Sequence, residues 1–180
     1  MHNKKILLMG DSITAGFDTQ ALLSEFSIIN KGLSANNSTH LLKRLERDLL
    51  ASYPDIIFIL IGTNDIAAGF TDTEILSNIN IILEITSEKL SKSKIFATSI
   101  LPTRNNELRP NERIRGLNKK IQMITEELKV NYLDLYSIFV DDTGQLGKEL
   151  TNDGLHLNEK AYLKWADFLK NFLTDKLRQD

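Results

Sequence analysis

Ile56-Ile57-Phe58-Ile59-Leu60-Ile61 narrows the choice of fold more than any other stretch of this sequence. An unbroken apolar run leaves no polar face, so a strand made from it must be covered on both sides. That pattern belongs to an interior strand of a parallel sheet. Shorter runs of the same kind predict strands over Lys5–Met9, Ser27–Asn30, Ile95–Ser99 and Tyr132–Leu135, with Ile56–Ile61 at the centre.

Between these runs the apolar residues recur every three or four positions. Leu41, Leu42, Leu45, Leu49 and Leu50 share one helical face behind Asn37-Ser38 as a cap. Ile75, Ile79, Ile82, Leu83 and Leu90 predict a second helix, and Ile114, Leu117, Ile121, Ile124 and Leu128 a third. Tyr162, Trp165, Ala166, Leu169, Phe172 and Leu173 predict a C-terminal helix capped by Asn158, and a short helix is expected around Ala21-Leu22-Leu23. Strands alternating with helices at this spacing define an α/β protein. The expected architecture is a three-layer α/β/α sandwich with a flavodoxin-like five-stranded parallel sheet. There is no internal repeat, low-complexity tract or linker, so one domain is expected over residues 1–180.

Composition sets limits on partners and chemistry. With 42% apolar and 26% charged residues, the chain is neither a disordered tail nor a coiled coil. Twenty-two basic against 24 acidic side chains give a formal charge of -2, so no global field recruits nucleic acid or an anionic membrane. The absence of cysteine removes disulfides, thiolate metal sites and a thiol nucleophile. Behind Lys4-Lys5 the apolar run is only Ile6-Leu7-Leu8-Met9, shorter than the ~7–15 residues of a signal peptide core. A cytoplasmic location without stable membrane insertion is therefore expected.

Ligands of open α/β sheets bind beyond the carboxyl ends of the strands. After the first run comes Gly10-Asp11-Ser12-Ile13-Thr14, where a serine at the turn into a helix presents its hydroxyl among outward N–H groups. Asp and Ser also serve there simply as caps. Gly32 follows the second run, where a glycine permits a tight turn or a close backbone approach. Gly62-Thr63-Asn64-Asp65 follows the third; Asn64 either turns its amide into the crevice or closes an Asx-turn.

The fourth element is Asn152-Asp153-Gly154-Leu155-His156, just ahead of the C-terminal helix. A serine hydroxyl needs a base to take its proton, and an imidazole, with an ordinary pKa of about 6.5, suits that task. Asp153 is close enough in sequence to orient the ring through Nδ1 and leave Nε2 for Ser12. His2 stands at the N-terminus and His40 in a polar helix start, which leaves His156 as the candidate base.

Taken together, the Gly10-Asp11-Ser12, Gly32, Gly62-Thr63-Asn64-Asp65 and Asp153-Gly154-Leu155-His156 blocks resemble, in order, those of the SGNH (GDSL-type) hydrolase superfamily. Within it the chain is similar to the platelet-activating-factor-acetylhydrolase-like and lysophospholipase-L1-like esterases, through Leu101-Pro102, Asn111-Glu112-Arg113 and Asn118. The resemblance implies Ser12 as nucleophile, His156 as base and Asp153 as its orienter. It implies an oxyanion hole of the Ser12 and Gly32 N–H groups and the Asn64 side chain. It further implies hydrolysis of esters or thioesters with neither metal nor cofactor. In one departure, Ala35 stands where the family often carries a second glycine, in a Gly-x-Ser-Gly pattern.

The expected substrate is a small-molecule ester with a short acyl group, such as an O-acetyl group on a sugar; the alternative is a lysophospholipase or thioesterase acting on longer chains. Two other classes compete. One is a metal-dependent phosphohydrolase with Asp11, Asn64, Asp65, Asp153 and His156 as ligands. The other is a binding module that keeps the fold without the chemistry. Arg104, Arg109, Arg113 and Arg115 gather in the segment after the fourth strand. They read as a solvated face paired with neighbours such as Glu107 and Glu112, in preference to a seat for an anionic substrate. Nothing in the sequence fixes an oligomeric state.

Overall fold

Strand β3 (Ile56–Leu60) is buried at every residue and occupies the middle of a five-stranded, all-parallel sheet. The computed structural model describes residues 4–178, so His2 lies outside the described residues. Around β3 stand β1 (Lys5–Gly10), β2 (Ser27–Gly32), β4 (Lys94–Thr98) and β5 (Asn131–Leu133), in the order β2-β1-β3-β4-β5. This is the flavodoxin-like doubly wound order, with its switch point between β1 and β3. β2 runs two residues further than its apolar pattern suggests, because Lys31 and Gly32 continue the ladder opposite Met9 and Gly10. β5 stops at Leu133, where Asp134 turns its carboxylate to the Ser137 N–H (3.1 Å) and the chain enters a short helix.

The strands' alternation divides the core in two. Ile6, Leu8, Ile56, Phe58 and Phe96 face one way, towards the C-terminal helix, where Trp165, Leu169 and Leu173 are buried. Leu7, Met9, Ile57, Ile59 and Ile95 face the other way, against Leu41, Leu45, Ile79, Ile82, Leu117 and Ile121. Each fully buried side chain of this size is worth roughly 1.5–3 kcal/mol of transfer free energy. The helices supplying these faces are α3 (Ser38–Ser52), α5 (Asp72–Lys89), α6 (Asn111–Leu128) and α8 (Glu159–Arg178). Asn37 caps α3 through the His40 N–H (3.0 Å), and Asn158 caps α8 through the Ala161 N–H (3.1 Å).

Among the described residues four shorter α-helices lie in the connections: α1 (Ser12–Ala15), α4 (Thr63–Ala67) and α7 (Tyr136–Phe139) after β1, β3 and β5, and α2 (Thr19–Leu22) ahead of β2. α4 and α7 are too short to carry an apolar period, which is why the sequence pattern shows neither. No helix among the described residues is long and apolar enough to cross a membrane.

Candidate active site

β1 delivers the chain directly into α1, with Asp11 as the cap: its Oδ1 accepts the Ile13 N–H at 2.9 Å. Ser12 is the first residue of α1. This short helix is held from both sides. The Tyr162 hydroxyl, reaching from α8, donates to the Ile13 carbonyl at 2.9 Å. On the other side Gly32 of β2 backs directly onto α1; a Cβ there would stand 2.2 Å from the Ala15 nitrogen and 2.6 Å from the Thr14 carbonyl carbon. Only a residue without a side chain fits so close an approach.

Asp153 and His156 sit in a loop closed by the antiparallel bridge Thr151–Leu157. Asp153 Oδ1 accepts the N–H groups of Leu155 (2.9 Å) and His156 (2.8 Å), which folds the loop around the carboxylate. Gly154 makes this possible with φ of +82°, and the Arg104 N–H donates to its carbonyl at 2.8 Å. The other carboxylate oxygen, Oδ2, lies 2.7 Å from His156 Nδ1, and His156 Nε2 lies 3.0 Å from Ser12 Oγ. The three side chains thus form one hydrogen-bonded line. Desolvation raises the Asp153 carboxyl, but the His156 ring and the two N–H groups outweigh it and hold Asp153 well below the usual carboxylate range. Asp153 is therefore an anion beside His156 at any working pH.

Asn64 lies on α4, and its side chain is tied at both ends. Nδ2 donates to the Asn36 carbonyl at 2.9 Å, and Oδ1 accepts from Arg109 Nη2 at 3.2 Å. The Gly32 N–H, expected to serve an oxyanion hole, instead donates to Asn30 Oδ1 at 2.9 Å. Asn30 is itself fastened, its Nδ2 donating to the Thr14 (2.7 Å) and Phe17 (2.9 Å) carbonyls. Sequence reasoning sees the glycine but not the side chain two residues before it that occupies its N–H. Three residues further on, Ala35 takes φ of +59°, a left-handed conformation that is costly for an alanine. Among the described residues neither its N–H nor that of Ser12 has a hydrogen-bond partner.

Two buried carboxylates lie behind this line. Burial pushes Asp11 up to about 6, against the Ile13 N–H and the charges of His156 and Arg109, with Asp65 adding to the rise. Asp65 is raised by burial too, although Ser38 donates to it from both N–H and hydroxyl. The carboxylates and histidine of the rival metal reading are thus spread over separate hydrogen-bond pairs. Among the described residues no three or more His, Asp or Glu side chains are spaced to hold a metal ion.

The arginine segment differs from its expected pairing. Arg104 bonds Asp141 and the Leu146 carbonyl, and Arg113 bonds Asp72 (2.9 Å) and the Phe70 carbonyl. Arg109 turns inward to Thr63 and Asn64. Among the described residues neither Glu107 nor Glu112 is their partner, because each guanidinium finds its acceptors on other parts of the chain.

The order β2-β1-β3-β4-β5 with helices on both faces makes the chain a three-layer α/β protein, with Ser12, His156 and Asp153 in one hydrogen-bonded line. The sequence profile of the GDSL-like lipase/acylhydrolase family matches residues 8–164, and the chain belongs to that family. A Streptococcus pneumoniae structure described as a candidate platelet activating factor is 32% identical, with a TM-score of 0.88 over 95% of this chain and 84% of that one. An arylesterase of Vibrio mimicus is 24% identical over 97% of this chain and 90% of its own length. An N-acylneuraminate cytidylyltransferase of Escherichia coli is 27% identical over 159 residues, which are 87% of this chain but only 37% of that relative. The chain thus spans little more than a third of that longer protein.

Proposed function

We propose that this chain is a serine esterase that cleaves carboxylic esters through a Ser12–His156–Asp153 triad and an acyl-enzyme. The observation that carries the reading is the continuous line Asp153 Oδ2–His156 Nδ1 (2.7 Å) and His156 Nε2–Ser12 Oγ (3.0 Å). His156 takes the proton from Ser12 as Oγ attacks the ester carbonyl, and Asp153 holds the ring tautomer and offsets the charge that forms. The proton passes from His156 to the departing alcohol. Water then attacks the acyl-enzyme by the same route and frees the acid.

The oxyanion would be met by the Ser12 N–H and the second N–H of Asn64 Nδ2. The third donor we assign is the Ala35 N–H rather than that of Gly32. It belongs to the loop whose Asn36 carbonyl already grips Asn64, and among the described residues it has no hydrogen-bond partner. Strain of the kind Ala35 carries gathers at functional sites. Gly32 then acts through its lack of a side chain, which lets α1 lie close.

A short acyl group is the preferred substrate. His156 and Asp153 side chains are about half exposed, at 48% and 53%, so the site is open and offers no deep apolar channel at the base. The partial match to a protein named for N-acylneuraminate, an acylated sugar acid, supports a sugar as the body of the substrate. One observation favours longer chains: Leu33 (46% exposed) and Leu108 (67% exposed) lie on the same loops as Ala35 and Arg109, and each methylene they bury would gain about 0.8 kcal/mol. Initial rates on p-nitrophenyl esters from acetate to palmitate decide between them. A maximum at acetate or butyrate is expected; a maximum at octanoate or beyond would replace the short-acyl reading with a lysophospholipase or thioesterase.

A further inference from the structure

We infer that Arg109 is a positioning residue that fixes which end of the Asn64 amide faces the site. The inference rests on the reading of Asn64 as an oxyanion donor.

Arg109 reaches the site from the segment joining β4 to α6. That segment is held from α6 by two asparagines. Asn118 bonds both the N–H (2.8 Å) and the carbonyl (2.9 Å) of Ile100, and Asn111 does the same to Thr103 (2.9 and 2.7 Å). The Thr103 hydroxyl then donates to the Arg109 carbonyl at 2.7 Å. From this frame the half-buried guanidinium turns towards α4, with Nε donating to the Thr63 carbonyl (3.1 Å) and Nη2 to Asn64 Oδ1 (3.2 Å).

An asparagine amide has one end that only accepts and one that only donates. In the observed orientation Asn64 Oδ1 meets a guanidinium and Nδ2 meets the Asn36 carbonyl. Rotating the amide by half a turn would set Nδ2 against a cation and Oδ1 against a carbonyl oxygen, so both contacts would turn repulsive. The second N–H of Nδ2 is thereby left to face an oxyanion. The cation at Oδ1 also polarises the amide and strengthens its N–H groups as donors. The planar fork suits this task because it spans the Thr63 carbonyl and the Asn64 amide at once, whereas an ammonium is a single point charge.

The test is a double-mutant cycle on p-nitrophenyl acetate, a neutral substrate, with Arg109→Met, Asn64→Ala and the pair. Arg109→Met is expected to lower kcat by ~10–100-fold, less than the ~10²–10³ for outright loss of a donor, with KM nearly unchanged. In the Asn64→Ala background the same substitution should change kcat by less than ~3-fold, because the residue it acts through is gone. Arg109→Gln, which keeps an N–H donor, should recover part of the loss, and it carries the cycle if Arg109→Met fails to fold. An equal loss with and without Asn64, or an effect confined to KM, overturns the inference and leaves the esterase reading standing. A fall of less than ~10-fold in Asn64→Ala alone removes the donor role of Asn64, and the inference with it.

Discussion

His156 Nε2 lies 3.0 Å from Ser12 Oγ, although 144 positions separate the two residues in the chain. What brings them together is local on both sides. Tyr162 and Gly32 pin α1, and Asp153 gathers the N–H groups of its own loop while turning its free oxygen to His156. The carboxylate that shapes the loop also orients the base, so a replacement that keeps its loop contacts should affect chemistry more than folding.

Asp153→Asn tests this directly. An amide can still accept the Leu155 and His156 N–H groups, but it no longer offsets an imidazolium and favours the wrong ring tautomer. kcat should fall by ~10³–10⁴-fold. Steady-state rates check this, and a near-normal kcat would remove Asp153 from the triad.

Gly32→Ala probes the close approach of β2 and α1. The added Cβ meets backbone atoms at 2.2 and 2.6 Å, which cannot rotate away. Overpacking of this kind costs roughly 1–3 kcal/mol, and the displacement falls on the helix that carries Ser12. Urea denaturation and kcat should both register the loss. Wild-type stability would mean that α1 sits further from β2 than described.

Ala35→Gly should act in the opposite sense. Relief of the left-handed φ outweighs the added freedom of the unfolded chain, for a gain of about 0.5–1 kcal/mol. The N–H is retained, so kcat should stay within about twofold of wild type, against the ~10²–10³ lost with a donor. A rise in melting temperature with kcat intact is the expected pair of results, and a fall in stability would count against the strained loop.

These two glycine and alanine positions show where sequence reading stops. The interior strand at Ile56–Leu60 and the helical faces of Leu41 and Ile114 are written in local periodicity, and the sheet order follows from them. Ser12, Asn64, Asp153 and His156 are legible because each follows a strand or precedes a helix in a chemically loaded block. The engagement of the Gly32 N–H by Asn30 is a local contact two residues back, which the Asn-x-Gly spacing permits but does not require. The turn of Arg109 away from Glu107 and Glu112 is a tertiary event; it depends on which donor finds which acceptor once the loops have packed, and no spacing encodes that. The departure from glycine at Ala35 was the available signal, since it marks a residue kept in a backbone region that glycine prefers.

Asp11 gives the protein a pH-dependent stability. It ionises near 3.8 when unfolded and near 6 when folded. Between those values the folded state binds the proton more tightly, so this group's contribution is complete below pH 3.8 and is lost as pH rises through about 6. The difference is worth about 3 kcal/mol. Asp11→Asn can keep the Ile13 cap without the charge, so its stability relative to wild type should rise by up to that amount from pH 4 to pH 7. Urea midpoints at pH 4, 5, 6 and 7 would show the trend; a constant difference would mean that Asp11 does not titrate in this range.

Intact mass measurement after reaction with a fluorophosphonate shows whether Ser12 is the nucleophile. One adduct per chain is expected, mapped to Ser12, formed at the rate at which ester hydrolysis is lost and absent from Ser12→Ala. An adduct on another residue, or undiminished hydrolysis by Ser12→Ala, would contradict it.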